Sequence, residues 1–135
     1  MMENKDRASV IIIDNGKILL LYRFKNGKEY YVFPGGGVED GESTIRAAVR
    51  EAKEETGLDV AISKKMWEYE GRGRLEHFYL VERFSGELKI GGLEENRQSK
   101  DNVYRLEWVN LDKVADINLL PEDMKAQLLK ESSLR

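Results

Sequence analysis

The run Gly35-Gly36-Gly37-Val38-Glu39-Asp40-Gly41-Glu42 constrains this chain more than any other stretch, because it leads directly into a helix with three chemically distinct faces. Glycines let a loop backbone take conformations closed to other residues and approach a neighbour closely. Ser43 or Glu42 can cap the first helical turn, and Gly57 is placed to end the helix in a left-handed C-cap. At about 100° per residue, Glu51, Glu54 and Glu55 share one sector roughly 100° wide. Ile45, Ala48, Val49, Ala52 and Thr56 form an apolar stripe expected to face a core, and Arg46, Arg50 and Lys53 form a third, basic sector. An ordinary surface helix needs only two faces.

Three carboxylates within one turn repel each other and cost an isolated helix about 0.2–0.5 kcal/mol per pair. A hard divalent cation removes that cost, since Mg²⁺ takes oxygen ligands and keeps waters for a phosphate substrate. An alternative is a solvated acidic face, which is the better reading of a lone E-x-x-E-E. The charge distribution favours the cation. The chain carries a net charge of −3, and residues 36–58 hold six acids against three bases, so the whole imbalance lies in this stretch. A neutral body with one anionic patch suits a metal site better than nucleic-acid binding, for which a basic stripe is expected.

The spacing is more specific still. Gly36, Glu42, Arg50, Glu51, Glu54, Glu55 and Gly57, with Ala52 and Leu58 at the small or aliphatic positions, match every fixed position of the Nudix box. At about one in sixteen per residue type, seven such matches arise by chance in roughly one window in 10⁸. The chain therefore resembles the Nudix hydrolases over residues 36–58.

The rest of the chain is consistent with that resemblance. Its 135 residues are sufficient for one domain, expected to span 1–135. No apolar run approaches the ~18 residues of a membrane span, and the first residues lack a signal-peptide apolar core. With no cysteine and a single histidine, thiolate sites are excluded and zinc is disfavoured, and a cytoplasmic location is expected. Val10–Ile13 and Lys17–Arg23 flank the hairpin signal Asp14-Asn15-Gly16 and are apolar enough to be covered on both faces. Asn26-Gly27 predicts a second turn, followed by a strand over 29–33 that Pro34 ends. Strands are expected over 60–70 and 75–84, turned by Gly71-Arg72-Gly73, then a short run Leu88-Lys89-Ile90, a polar loop over 91–102 and an alternating strand through Tyr104, Leu106 and Trp108. Pro121 as the first helical residue, with Glu122 and Asp123 at the positive dipole end, predicts a last helix packed on the sheet through Met124, Leu128 and, at the margin, Leu129. A mixed sheet with a helix on each side is the economical arrangement, and the resemblance implies the same α/β class, a Nudix-type α/β/α sandwich.

The resemblance also implies a reaction: hydrolysis of a nucleoside diphosphate linked to another group, with Mg²⁺ or Mn²⁺. By position, Glu51, Glu54 and Glu55 are the expected metal ligands, joined by a backbone carbonyl near Gly35. Arg50 would orient a carboxylate through a bidentate pair, and Glu42 would pair with Arg50 or reach the metal through water. The general base falls among Glu51, Glu54, Glu94 and Glu95. Substrate contacts are expected from Arg23, Tyr31, Phe33 and Phe78, although each aromatic also fits plain core packing. His77 reads as a strand-surface residue. The subfamily signals of ADP-ribose, diadenosine polyphosphate and coenzyme A hydrolases are absent (position 73, for example, is Gly where a proline marks the first), so elimination points to a (d)NTP or modified nucleotide. Two other readings stand beside it: a Nudix-fold sensor that binds nucleotide without turnover, and an RNA 5′-end pyrophosphohydrolase served by Lys64, Lys65, Arg72, Arg74 and Arg97. Small Nudix domains often pair, so the resemblance also implies a homodimer as one option, with no exposed seam in the sequence to mark its interface.

Overall fold

A computed structural model describes residues 5–89 and 102–134. The candidate bases Glu94 and Glu95, and Arg97, lie outside the described residues. The chain divides into two units, Met1–Ile12 with Pro34–Leu88, and Ile13–Phe33 with Lys89–Arg135.

The first unit carries β1 (Arg7–Ile11), β5 (Gly35–Gly37), α1 (Thr44–Thr56), β6 (Asp59–Gly71) and β7 (Arg74–Ser85). Its sheet runs in the order β5-β1-β7-β6, with β1 parallel to β7 and the other pairs antiparallel. Helix α1 packs on β1, β5 and β6. The expected caps are present: Ser43 Oγ accepts from the Arg46 amide at 3.1 Å, and Gly57 ends the helix at φ 86°. Ala47, Ala48, Ala52 and Thr56 are buried, and the Thr56 hydroxyl donates to the Ala52 carbonyl. Ile45 and Val49, read as core-facing, are instead 49% and 36% exposed. In the first half of the helix the buried residues are Ala47 and Ala48, so the covered face there is turned toward Ala47 and leaves Ile45 and Val49 at its open edge.

The second unit contains β2 (Ile13–Asp14), β3 (Lys17–Lys25), β4 (Lys28–Val32), β8 (Asn102–Asn110), β9 (Leu119–Leu120) and α2 (Glu122–Lys130), with a 3₁₀ segment over Leu111–Asp116. Strand β3 is central: β8 pairs along its full length on one side, and β2 and β4 pair on the other. Both predicted turns form, with Asn15-Gly16 at φ 52° and 73° and Asn26-Gly27 at 52° and 79°, the positive values a tight hairpin requires. Ile18, Leu19 and Leu20 are all buried, so both faces of β3 are covered, as its unbroken apolar run predicts. Met124 and Leu128 are the buried residues of α2, with Pro121 as its N-cap rather than its first residue.

The mixed α/β class is as expected, with the strands divided between two mixed sheets rather than gathered in one. The hairpin about Asn15-Gly16 involves only β2 and the start of β3. Strand β1 leaves it at Ile12 and pairs with β7, some 69 positions away in register. Leu88 and Lys89 form no strand, and Ile90 lies outside the described residues. Gly35–Gly37, read as loop, form a short strand antiparallel to β1, and the Pro34 carbonyl accepts from the Val10 amide at 3.0 Å.

Candidate active site

Strand β5 and helix α1 meet at two glycines with different tasks. A Cβ on Gly35 would lie 2.2 Å from Ser9 Oγ and 2.5 Å from the Ala8 carbonyl oxygen, so the absent side chain lets β5 close on β1. A Cβ on Gly36 would lie 2.2 Å from the Glu51 carboxyl carbon and within 2.4 Å of both its oxygens. Gly36 is therefore the floor on which the Glu51 carboxylate rests.

Arg50 joins the parts of this site. Its Nε and Nη2 donate to the two carboxylate oxygens of Glu42 at 2.8 and 2.9 Å, a bidentate pair. Nη2 also donates to the Gly37 carbonyl at 2.9 Å, and Nη1 donates to Glu51 at 2.9 Å and to Glu54 at 3.2 Å. One guanidinium thus ties β5, the loop after it and two carboxylates of α1. Lysine, with one nitrogen, could not make this set of contacts.

Glu42 is fully used here. Besides Arg50, it accepts from the Glu39 amide at 3.1 Å. The Arg50 hydrogen bonds, and then the Glu39 amide, hold its carboxyl down at about 2 from an ordinary 4.5. A depressed carboxyl contributes stability that is complete above its unfolded pKa and is lost as pH falls through the folded value. Urea midpoints measured from pH about 4.5 down to about 2 should therefore fall less steeply in Glu42→Gln than in the wild type. Equal slopes would remove Glu42 from the stabilising set.

Glu51, Glu54 and Glu55 share a face of α1 as predicted, and carboxylate oxygens in a chain without cysteine suit a hard divalent ion. Among the described residues, no three acidic or histidine side chains are gathered closely enough to hold a metal ion as they stand. The fit lies in donor chemistry and shared face: Arg50 Nη1 supplies the positive charge between Glu51 and Glu54, and a cation would compete with those two bonds.

The predicted substrate residues are divided between the two units. Phe78 is fully buried in β7 with its ring 6.3 Å from that of Trp67, and Phe33 is 2% exposed, so neither offers a face for base stacking. Tyr31 donates to Glu107 at 3.1 Å and meets the Tyr22 ring edge-on. Arg23 lies 3.7 Å from the Tyr104 ring centroid and donates to that residue's hydroxyl. Phe78 belongs to the first unit, with the box, and the other three belong to the second. His77 is buried, not a surface residue: Nε2 lies 3.1 Å from Asp6, whose carboxyl it holds below the usual range. The Leu75 amide adds to that shift. His77, Phe78 and Tyr79 are buried in succession, so over these three residues alternation carried no information about His77. Sequence reasoning also missed the pairs Ser9–Glu76 and Asp6–His77, which lie 67 and 71 positions apart in the chain and are brought together by the β1–β7 pairing.

The sequence profile of the NUDIX domain matches residues 3–130. An ADP-ribose pyrophosphatase of Methanocaldococcus jannaschii is 38% identical over 88 residues, 60% of this chain and 52% of that protein. The chain thus spans about half the length of that relative. An RNA pyrophosphohydrolase of Sphingopyxis alaskensis is 32% identical over 119 residues, 74% of this chain and 73% of that protein. Among solved structures, MutT from Aliivibrio salmonicida and Vibrio cholerae aligns with a TM-score of 0.73 at 25% identity, covering 93% of this chain and 96% of that one. No helix among the described residues is long and apolar enough to cross a membrane. With the complete box seated on β5 and α1, and the profile extending over nearly the whole sequence, this chain belongs to the Nudix hydrolase family.

Proposed function

We propose that the chain is a single-domain, metal-dependent pyrophosphohydrolase of the cytoplasm that cleaves a nucleoside diphosphate linked to another group, with a (d)NTP or modified nucleotide as substrate. The observation that carries this reading is the Arg50 hub, which holds Glu51 and Glu54 against a glycine strand through five hydrogen-bonding groups. Nudix hydrolases generally use divalent metal ions. We assign Mg²⁺, with Mn²⁺ as its substitute, to Glu51, Glu54, Glu55 and the Gly35 carbonyl. When bound, the ion neutralises phosphoryl charge and acidifies a water. The chain's own part is to place the carboxylates: Gly36 leaves room for Glu51, Arg50 orients Glu51 and Glu54, and Glu42 anchors Arg50.

The relatives carry different substrates in their names, so the test is a panel. Phosphate and pyrophosphate release would be followed with standard and oxidised NTPs, ADP-ribose, a diadenosine polyphosphate and 5′-triphosphate RNA, with Mg²⁺ and then with chelator. Chelator-sensitive turnover of a nucleotide is expected. RNA as the preferred member would move the reading to 5′-end hydrolysis, for which the Sphingopyxis relative speaks. Nucleotide binding without turnover of any member would favour a sensor. Glu54→Gln is expected to lower kcat by about 10²–10³-fold, the scale of losing one charge-stabilising group. It should leave the fold intact, because Glu54 is exposed and its volume is kept. Near-normal activity would remove Glu54 from the ligand set.

A further inference from the structure

We propose that the face of the β5-β1-β7-β6 sheet turned away from α1 reads the nucleobase, and that Glu76 selects a guanine-type edge; this rests on the nucleotide-hydrolase reading above. The two faces of this sheet can be told apart. Gly36 meets Glu51 of α1, and the Tyr79 hydroxyl pairs with Thr44 at the start of α1. Gly36 pairs with Ala8, which in turn pairs with His77, so these residues and Tyr79 face the helix. Alternation turns Arg7, Ser9, Glu76 and Phe78 the other way. The β6–β7 register sets Tyr69 opposite Glu76 and Trp67 opposite Phe78, bringing both rings onto that same face.

Glu76 is held there in one orientation. Ser9 Oγ donates to its Oε2 at 2.7 Å, and Arg7 Nε lies 3.6 Å from the same oxygen. Its Oε1 makes no hydrogen bond to a described residue. A carboxylate only accepts, and this one stands beside the half-buried rings of Tyr69 and Trp67. Sites that read an unpaired base combine aromatic stacking with hydrogen bonds to its Watson–Crick edge. Guanine presents adjacent N1–H and N2–H donors on that edge, whereas adenine sets the acceptor N1 beside its amine. A fixed acceptor therefore prefers guanine. Strand β5 lies two strand spacings from β7, about 10 Å away, a span that a nucleoside between its base and its diphosphate can bridge.

The test is calorimetric titration of the Mg²⁺-loaded protein with GMP, IMP and AMP, which reads binding and needs no turnover. GMP should bind at least about tenfold more tightly than AMP, the discrimination of one good edge contact, with IMP between them for want of the N2 amine. Glu76→Gln should bring GMP and AMP to within about twofold of each other while the protein melts near the wild-type temperature. Tyr69→Ala should weaken all three while leaving their ratio. Equal wild-type affinity for GMP and AMP, no binding of GMP, or a preference surviving in folded Glu76→Gln would each overturn the proposal. If Glu76→Gln does not fold, the wild-type comparison and Tyr69→Ala still decide it. Preserved GMP preference without hydrolysis of any nucleotide would instead count against the enzyme reading alone.

Discussion

Gly36→Ala is expected to lower kcat/KM about 100-fold with little change in melting temperature, while Gly35→Ala, one position earlier, is expected to lose the fold. The two glycines share a strand and neither needs a positive φ, so backbone freedom does not separate them. What lies over each does. Above Gly35 stand backbone atoms of β1, the Ala8 carbonyl oxygen at 2.5 Å and Ser9 Cα at 2.7 Å, which cannot move without breaking the β1–β5 pairing. Overpacking of that kind costs at least about 3 kcal/mol where nothing can yield, a large share of a domain's stability. Above Gly36 the nearest atoms are all at the end of the Glu51 side chain, which can rotate aside. The fold survives that rotation, but the carboxylate is displaced from Arg50 and from any ion it would help hold. A shift of about 1 Å in a positioned group costs on the order of 10²-fold in rate. Steady-state kinetics and thermal melts of the two variants read the contrast directly. An active, stable Gly36→Ala protein would show that Glu51 works from another position.

That contrast was not legible in the sequence, where both glycines read as loop formers. Short-range features were legible: the Ser43 and Gly57 caps, the turns at Asn15-Gly16, Asn26-Gly27 and Arg72-Gly73, and the common face of Glu51, Glu54 and Glu55 all follow from spacing within about one turn or hairpin. What failed was long-range. Apolar patterning says that β1 is buried on both faces, but not that its partner is β7 rather than the neighbouring β3. A helical wheel places Ile45 with Ala48, but does not say where coverage of the helix stops. His77 begins a run of three buried residues, where alternation has no contrast to show. The resemblance named the box residues, yet Arg50's reach to Glu42 and the Gly37 carbonyl depends on where the loop sets those groups.

Arg50→Lys is the second substitution expected to have a large effect, although it keeps the charge. If Arg50 acted only as a positive charge among acids, lysine would serve. The geometry asks for more: the Nε–Nη2 edge grips both oxygens of Glu42, Nη2 also reaches the Gly37 carbonyl, and Nη1 spans Glu51 and Glu54. A lysine ammonium placed on Glu42 gives up the α1 carboxylates, and one placed on Glu51 and Glu54 leaves Glu42 with only the Glu39 amide. Removing a partner that orients metal ligands typically costs 10–100-fold in metal affinity or activity, and kcat/KM at saturating Mg²⁺ is expected to fall by about that factor. The Arg50 side chain is 25% exposed, so its ion pairs are partly screened and the loss of stability should be modest beside the loss of rate. The pH dependence separates positioning from charge alone. With the bidentate grip gone, the Glu42 carboxyl should return toward its ordinary range, and the acid limb of the stability profile should flatten as it does in Glu42→Gln. Activity within twofold of wild type, with that limb unchanged, would mean that one positive charge is enough and that the fork plays no part in holding the carboxylates.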